Sequence, residues 1–150
     1  MTTNESPIDA VMDRRSIVLD GAAVSSSTAI DEAGALLVDV GAVDQSYVSA
    51  MHDRERTAST FMGNGVAIPH GTRDSQGTVH RSAMSFVRYA KPLDWDGNPV
   101  HYVIGLAGRG DEHLALLQAI ALRFADPEAV RRLASAASAD DVLAVFTGNA

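Results

Sequence analysis

Apolar residues follow two rhythms along this chain, and the rhythms alternate. Ser16-Ile17-Val18-Leu19 is a short apolar run of the kind a buried strand requires. After Asp20-Gly21 and a small-residue loop, Ile30, Ala33, Leu37 and Val40 fall at helical spacing. Thr28 reads as the N-cap of that helix, Asp31 sits three residues on, and Gly41 ends it. Gly34 either costs the helix some stability or marks the close approach of another element. Asp44 is expected to cap a second helix, with Tyr47, Val48 and Met51 inward. Asp53-Arg54-Glu55-Arg56 closes it, its two cations complementing the helix dipole.

Val66-Ala67-Ile68 reads as the end of a buried strand, and residues 73–77 as a plain loop. From Ser82 to Tyr89 two sets of side chains alternate, which predicts a strand ended by Lys91-Pro92. The turn-rich segment 94–99 follows, carrying the single Trp. His101 to Ala107 shows little alternation, as in a strand buried on both faces. Three helices close the chain. Asp111 caps the first (Leu114, Leu117, Ala121, Phe124), and Asp126-Pro127 starts the second (Val130, Leu133, Ala134, Ala137). Ser138 with Asp141 starts the third (Val142, Leu143, Val145, Phe146), which Gly148 stops.

This interleaving predicts an α/β (α+β-like) single domain, a mixed β-sheet flanked by helices on both faces. Residues 1–15 are expected as a flexible leader and 16–150 as the folded domain, long enough for one proper core. A net charge of −7 argues against nucleic acid, whose backbone demands clustered Lys and Arg. The absence of Cys excludes disulfides, thiolate zinc sites and cysteine catalysis. No apolar run approaches the roughly 20 residues of a spanning helix, and the start lacks the blocks of a signal peptide. Direct membrane insertion is not expected, and the cytoplasm is.

Candidate chemistry centres on residues 61–72. Gly63 and Gly65 allow unusual backbone angles before the strand, Pro69 fixes its own φ, and Gly71 lets the chain turn at once. His70 is thereby presented at a strand end. Taken alone it is equally well a solvated loop residue or a satisfied core histidine. If it does chemistry, imidazole nitrogen is itself a nucleophile that can carry a group covalently. His113 falls in the first turn of a helix directly after a buried strand, a position that favours anions. Two rings sharing one sheet edge suit phosphoryl transfer, with one accepting the group and the other donating to its oxygens.

Three segments carry a resemblance: Met51-His52-Asp53-Arg54-Glu55, the run from Gly63 to Thr72, and Val103 to Ala107 with Asp111-Glu112-His113-Leu114. Together they resemble the IIA component of the phosphoenolpyruvate-dependent sugar phosphotransferase system, mannitol/fructose class, with Pro-His-Gly-Thr and Asp-Glu-His-Leu leaning toward mannitol. The resemblance spans roughly residues 17–148. It implies that His70 accepts phosphate from phospho-HPr and passes it to the cysteine of a IIB domain or IIBC permease. His113 would orient or stabilise the phosphate, Arg54 would reach its oxygens, and Thr72 would support the site by hydrogen bonding. It implies no cofactor and no metal. Asn64 stands where some mannitol-type relatives have an acidic residue. A regulatory IIA-like module, whose phosphorylation state controls a partner protein, would carry the same motifs.

The other histidines have plainer readings: His52 as a surface or packing residue, His80 as a solvated one, and His101 as a structural hydrogen bonder. A metal-dependent hydrolase using His70 and His113 with Asp111 or Glu112 matches no spacing of known metal motifs. An apolar patch around the His cleft is expected to meet partners, with Phe61, Met62, Val66 and Trp95 as candidates.

Overall fold

The computed structural model describes residues 8–147, and in chain order its elements are β1 (Met12–Val18), α1 (Ser26–Asp39), α2 (Ser46–Thr57), β2 (Phe61–Gly63), β3 (Val66–Ala67), β4 (Ala83–Trp95), β5 (Asn98–Val103), β6 (Leu106–Ala107), α3 (Glu112–Phe124), α4 (Pro127–Ser135) and α5 (Ala139–Thr147). The strands form one mixed sheet in the order β1-β4-β5-β3-β2, with β6 also on β4. β1 runs parallel to β4 and β3 parallel to β5, while β4–β5 and β2–β3 are antiparallel. The expected mixed sheet is therefore present.

Two turns explain the antiparallel pairs. Asn64-Gly65 and Asp96-Gly97 each place two successive residues at positive φ (53° and 76°, 54° and 88°), the geometry whose twist suits a two-residue hairpin. The segment 94–99, expected as a break, is thus the tip of one long hairpin. β4 does not stop at Lys91-Pro92. It continues to Trp95, and the ladder slips between Arg88 and Leu93, where proline is tolerated. Likewise β5 and β6 keep one register on β4, with Val103 opposite Val87 and Leu106 opposite Met84, so the expected strand to Ala107 is interrupted rather than absent.

Other boundaries shift for local reasons. β1 begins at Met12, four residues before Ser16, and Ile8 and Met12 are in the core. Residues 8–15 therefore pack with the domain, and the rest of the expected leader lies outside the described residues. Ser25, not Thr28, caps α1; its hydroxyl accepts from the Thr28 amide while the Thr28 hydroxyl accepts from the Ser25 amide. Asp44 does not cap α2, because its carboxylate pairs with His80 at 2.7 Å. Residues 73–78 form a 3₁₀ turn rather than a plain loop. Asp126 caps α4 and Ser138 accepts from the Asp141 amide at α5, as expected, while Gly148 lies outside the described residues.

The sheet carries a core on each face. Under α3, α4 and α5, Phe86, Tyr102, Phe124 and Phe146 meet ring to ring; under α1 and α2 lie Leu37, Tyr47, Trp95 and Val103. Gly34 is the close approach its position suggested. A Cβ there would fall 2.9 Å from a Val48 methyl of α2.

Candidate active site

Beyond β3 the chain stays on the sheet for three more residues. The Ile104 amide donates to the Ala67 carbonyl and the Leu106 amide to the Pro69 carbonyl, and His70 lies beside Leu106 as a parallel bridge. The turn at Gly71 is held from below by Tyr47 on α2. The Gly71 amide donates to the Tyr47 hydroxyl at 2.8 Å, and that hydroxyl donates to the Leu106 carbonyl at 2.7 Å. A Cβ at Gly71 would sit 2.5 Å from the Tyr47 ring, so only glycine permits the contact. Burial pushes the Tyr47 hydroxyl up to about 12, against the pull of the Gly71 amide, which keeps it a neutral donor.

The His70 ring is oriented by its own backbone. Its Nδ1 lies 2.8 Å from the Ile68 carbonyl oxygen, which can only accept, so Nδ1 carries the proton and Nε2 keeps its lone pair. Burial lowers the His70 pKa below the ordinary value of 6.5. The Ile68 carbonyl opposes that shift and the Arg54 charge adds to it. The ring is therefore neutral at pH 7, with a free nitrogen.

His113, in the first turn of α3, faces it with ring centroids 4.9 Å apart and planes tilted by 60°. Burial lowers its pKa too, followed by the charges of His70 and Arg54. Its position depends on the loop before α3. A Cβ on Gly108 would meet the His113 Cα at 2.5 Å, so the loop passes flat under the helix. Gln76 clamps that loop, donating to the Gly108 carbonyl at 3.0 Å and accepting from the Gly110 amide at 3.3 Å. The Ser82 hydroxyl accepts from the Arg109 amide and donates to the Glu112 carboxylate. Asp111 does not cap α3 with its side chain, contrary to expectation. Neither Tyr47 nor Gln76 signalled a site role in the sequence: one sits in an apolar stripe and the other in an apparent loop.

Arg54 lies in the last turn of α2, where Nη1 donates to the Ala58 carbonyl at 2.7 Å, and its charge reaches both imidazoles. Thr72 leaves its hydroxyl off the following turn, whose start is instead held by Ser75 Oγ donating to the Thr72 carbonyl at 2.5 Å. His70, His113, Arg54 and Thr72 all line one cleft of about 440 Å³, together with Arg73, and no carboxylate lines it. Such a cavity is suited to a small anion.

The remaining histidines lie elsewhere. His52 meets Asp31 at 2.7 Å and bridges α2 to α1; His80 is exposed but paired to Asp44; His101 Nδ1 donates to the Tyr89 carbonyl at 3.1 Å. Among the described residues no group of three or more His, Cys, Asp or Glu side chains is arranged to hold a metal ion. Two rim candidates are corrected. Val66 and Trp95 are fully buried, the indole donating to Glu55 at 2.9 Å. Phe61 is half-buried, Met62 is 39% exposed, and Leu114 beside His113 is 61% exposed, an apolar residue the sequence reading did not place there. Asn64 turns its amide to the Phe124 carbonyl at 2.9 Å, tying the β2–β3 turn to the end of α3.

Known proteins with this pattern are specific. The family model described as phosphoenolpyruvate-dependent sugar phosphotransferase system, EIIA 2, matches residues 10–149. A mannitol-specific phosphotransferase enzyme IIA component of Staphylococcus aureus is 47% identical over 122 residues, covering 81% of this chain and 85% of that protein. In an NMR structure of the Escherichia coli complex of enzyme IIAMTL with phosphorylated enzyme IIBMTL, one chain superposes with a TM-score of 0.85 at 30% identity, covering 92% of this chain and 99% of that one. The nitrogen regulatory protein IIA-Ntr of Neisseria meningitidis superposes with a TM-score of 0.79 at 30% identity, covering 95% and 100%.

Proposed function

The chain belongs to the EIIA 2 family of the phosphoenolpyruvate-dependent sugar phosphotransferase system, and on that premise we propose that it carries a phosphoryl group on His70 Nε2 for mannitol uptake. The observation that carries this reading is a neutral imidazole with Nδ1 committed to the Ile68 carbonyl and Nε2 free, facing a second imidazole in a cleft without carboxylates.

In the first transfer the Nε2 lone pair forms an N–P bond as the bond from phosphorus to phospho-HPr breaks, its electron pair leaving with the donor. The proton stays on Nδ1, still donated to the Ile68 carbonyl, so the phosphorylated ring remains a good leaving group. In the second transfer a IIB cysteine thiolate forms an S–P bond as the N–P bond breaks, and His70 returns to its neutral form. The transferring group spreads charge over three equatorial oxygens, so positioning and electrostatics do most of the work. Arg54 offers a guanidinium to those oxygens, His113 an N–H, and Thr72 a hydroxyl.

The 47% identity to a mannitol-specific enzyme IIA component supports the transport reading. Among the described residues no helix is long and apolar enough to cross a membrane. The test is incubation with phosphoenolpyruvate, enzyme I, HPr and labelled phosphate. One acid-labile phosphate per chain is expected, with none on His70→Ala and slowed transfer in His113→Ala. Undiminished labelling of His70→Ala contradicts the proposal.

A further inference from the structure

Arg73 stands out as a charge with no structural employment. It is exposed, lines the same cleft as His70, His113 and Arg54, and its guanidinium makes no ion pair or hydrogen bond among the described residues. Most other arginines are engaged: Arg14, Arg15, Arg56 and Arg131 pair with carboxylates, and Arg81 donates to a backbone carbonyl, while Arg123, which also has no such partner among the described residues, does not line the cleft. The backbone beneath Arg73 is nevertheless fixed. Ser75 holds the Thr72 carbonyl, and Gln76 is tied to the loop that carries His113. A free side chain thus springs from an anchored turn at the cleft wall, three residues after the proposed acceptor.

The cleft has a use for it. A phosphoryl group on His70 presents three charged oxygens, and Arg54 already spends Nη1 on the Ala58 carbonyl. Both rings are held neutral by burial, so without Arg73 a single guanidinium would face the group. In a chain of net charge −7, two arginines and no acid around one small cavity make a cation pair aimed at an anion.

We propose that Arg73 is a second phosphoryl-binding cation, contacting the oxygens of the group on His70 together with Arg54. This rests on the phosphoryl-carrier reading and adds a residue to it. A contact to the resident group stabilises the phosphorylated chain, whereas a residue that only helps partners dock speeds transfer in both directions equally and leaves the equilibrium alone. The experiment is therefore the equilibrium constant for phosphoryl exchange between labelled phospho-HPr and the chain. Arg73→Gln is expected to lower it about tenfold, the lower range for an exposed charge-assisted contact. Arg73→Lys is expected to keep most of it. Since the guanidinium holds no internal contact, both variants should match the parent in helical circular dichroism. An unchanged equilibrium constant in Arg73→Gln, whether or not rates fall, overturns the inference. A parent chain that takes no label overturns the carrier reading itself, and the two failures are thereby distinct.

Discussion

Tyr47 shows how much of this site is set by groups that never meet a phosphate. Its hydroxyl joins the Gly71 amide to the Leu106 carbonyl, and so fixes the strand end on both sides of His70. Tyr47→Phe leaves both backbone groups without that partner. It is expected to lower the unfolding free energy by about 1–3 kcal/mol in urea denaturation and to slow phosphoryl acceptance. The histidines make a pH prediction of definite sign. Both have pKa values depressed below 6.5 by burial, so in the window beneath 6.5 the unfolded chain binds more protons than the folded one. Their contribution to stability is complete above 6.5 and is lost as pH falls through the lowered folded values. Acceptance should follow the same rule: a single-turnover rate that declines as pH falls, with its midpoint below pH 6.5. A decline centred at or above 6.5 would contradict the burial of His70.

At the scale of elements, the site is where four pieces end: the extension of β3, the last turn of α2, the 3₁₀ turn after Thr72, and the first turn of α3. Gly108 controls the last of these, because a side chain there meets the His113 backbone rather than a flexible tip. Gly108→Ala is expected to shift the start of α3 and slow transfer about tenfold through lost alignment. The overpacking should cost about 1–3 kcal/mol of stability. Parent-like transfer rates in this variant would show that His113 need not be held in register. The helices were legible in the sequence because their apolar spacing is local, and Asp126-Pro127 even marked the start of α4. The caps of α1 and α2 were not, because Ser25, Thr28 and Asp44 all have capping chemistry and only tertiary contacts, such as the His80 ring on Asp44, decide which is used. β2 and the full length of β4 were missed for a related reason. Asn64-Gly65 and Asp96-Gly97 are hairpin turns whose flanks are too short or too proline-interrupted to read as strands.

At the scale of the whole molecule, the mixed sheet brings residues 54, 70, 72 and 113 to one cleft, although α2, the β3 extension and α3 are far apart in sequence. Their types and order could be seen in the chain, and so could the resemblance they carry. Their support could not: Tyr47 looks like core and Gln76 like loop until the topology sets them against Leu106 and Gly108. Trp95 failed in the opposite direction, since its turn-rich surroundings suggest a rim while its ring is buried against the α1–α2 face. Phosphoryl acceptance by His70 depends on one nitrogen atom being free. Nitrogen-15 NMR of the phosphorylated chain, reading coupling to phosphorus, tests this most directly. Phosphorus is expected on Nε2 of residue 70, and phosphorus on Nδ1 of that ring, or on His113, would contradict the account.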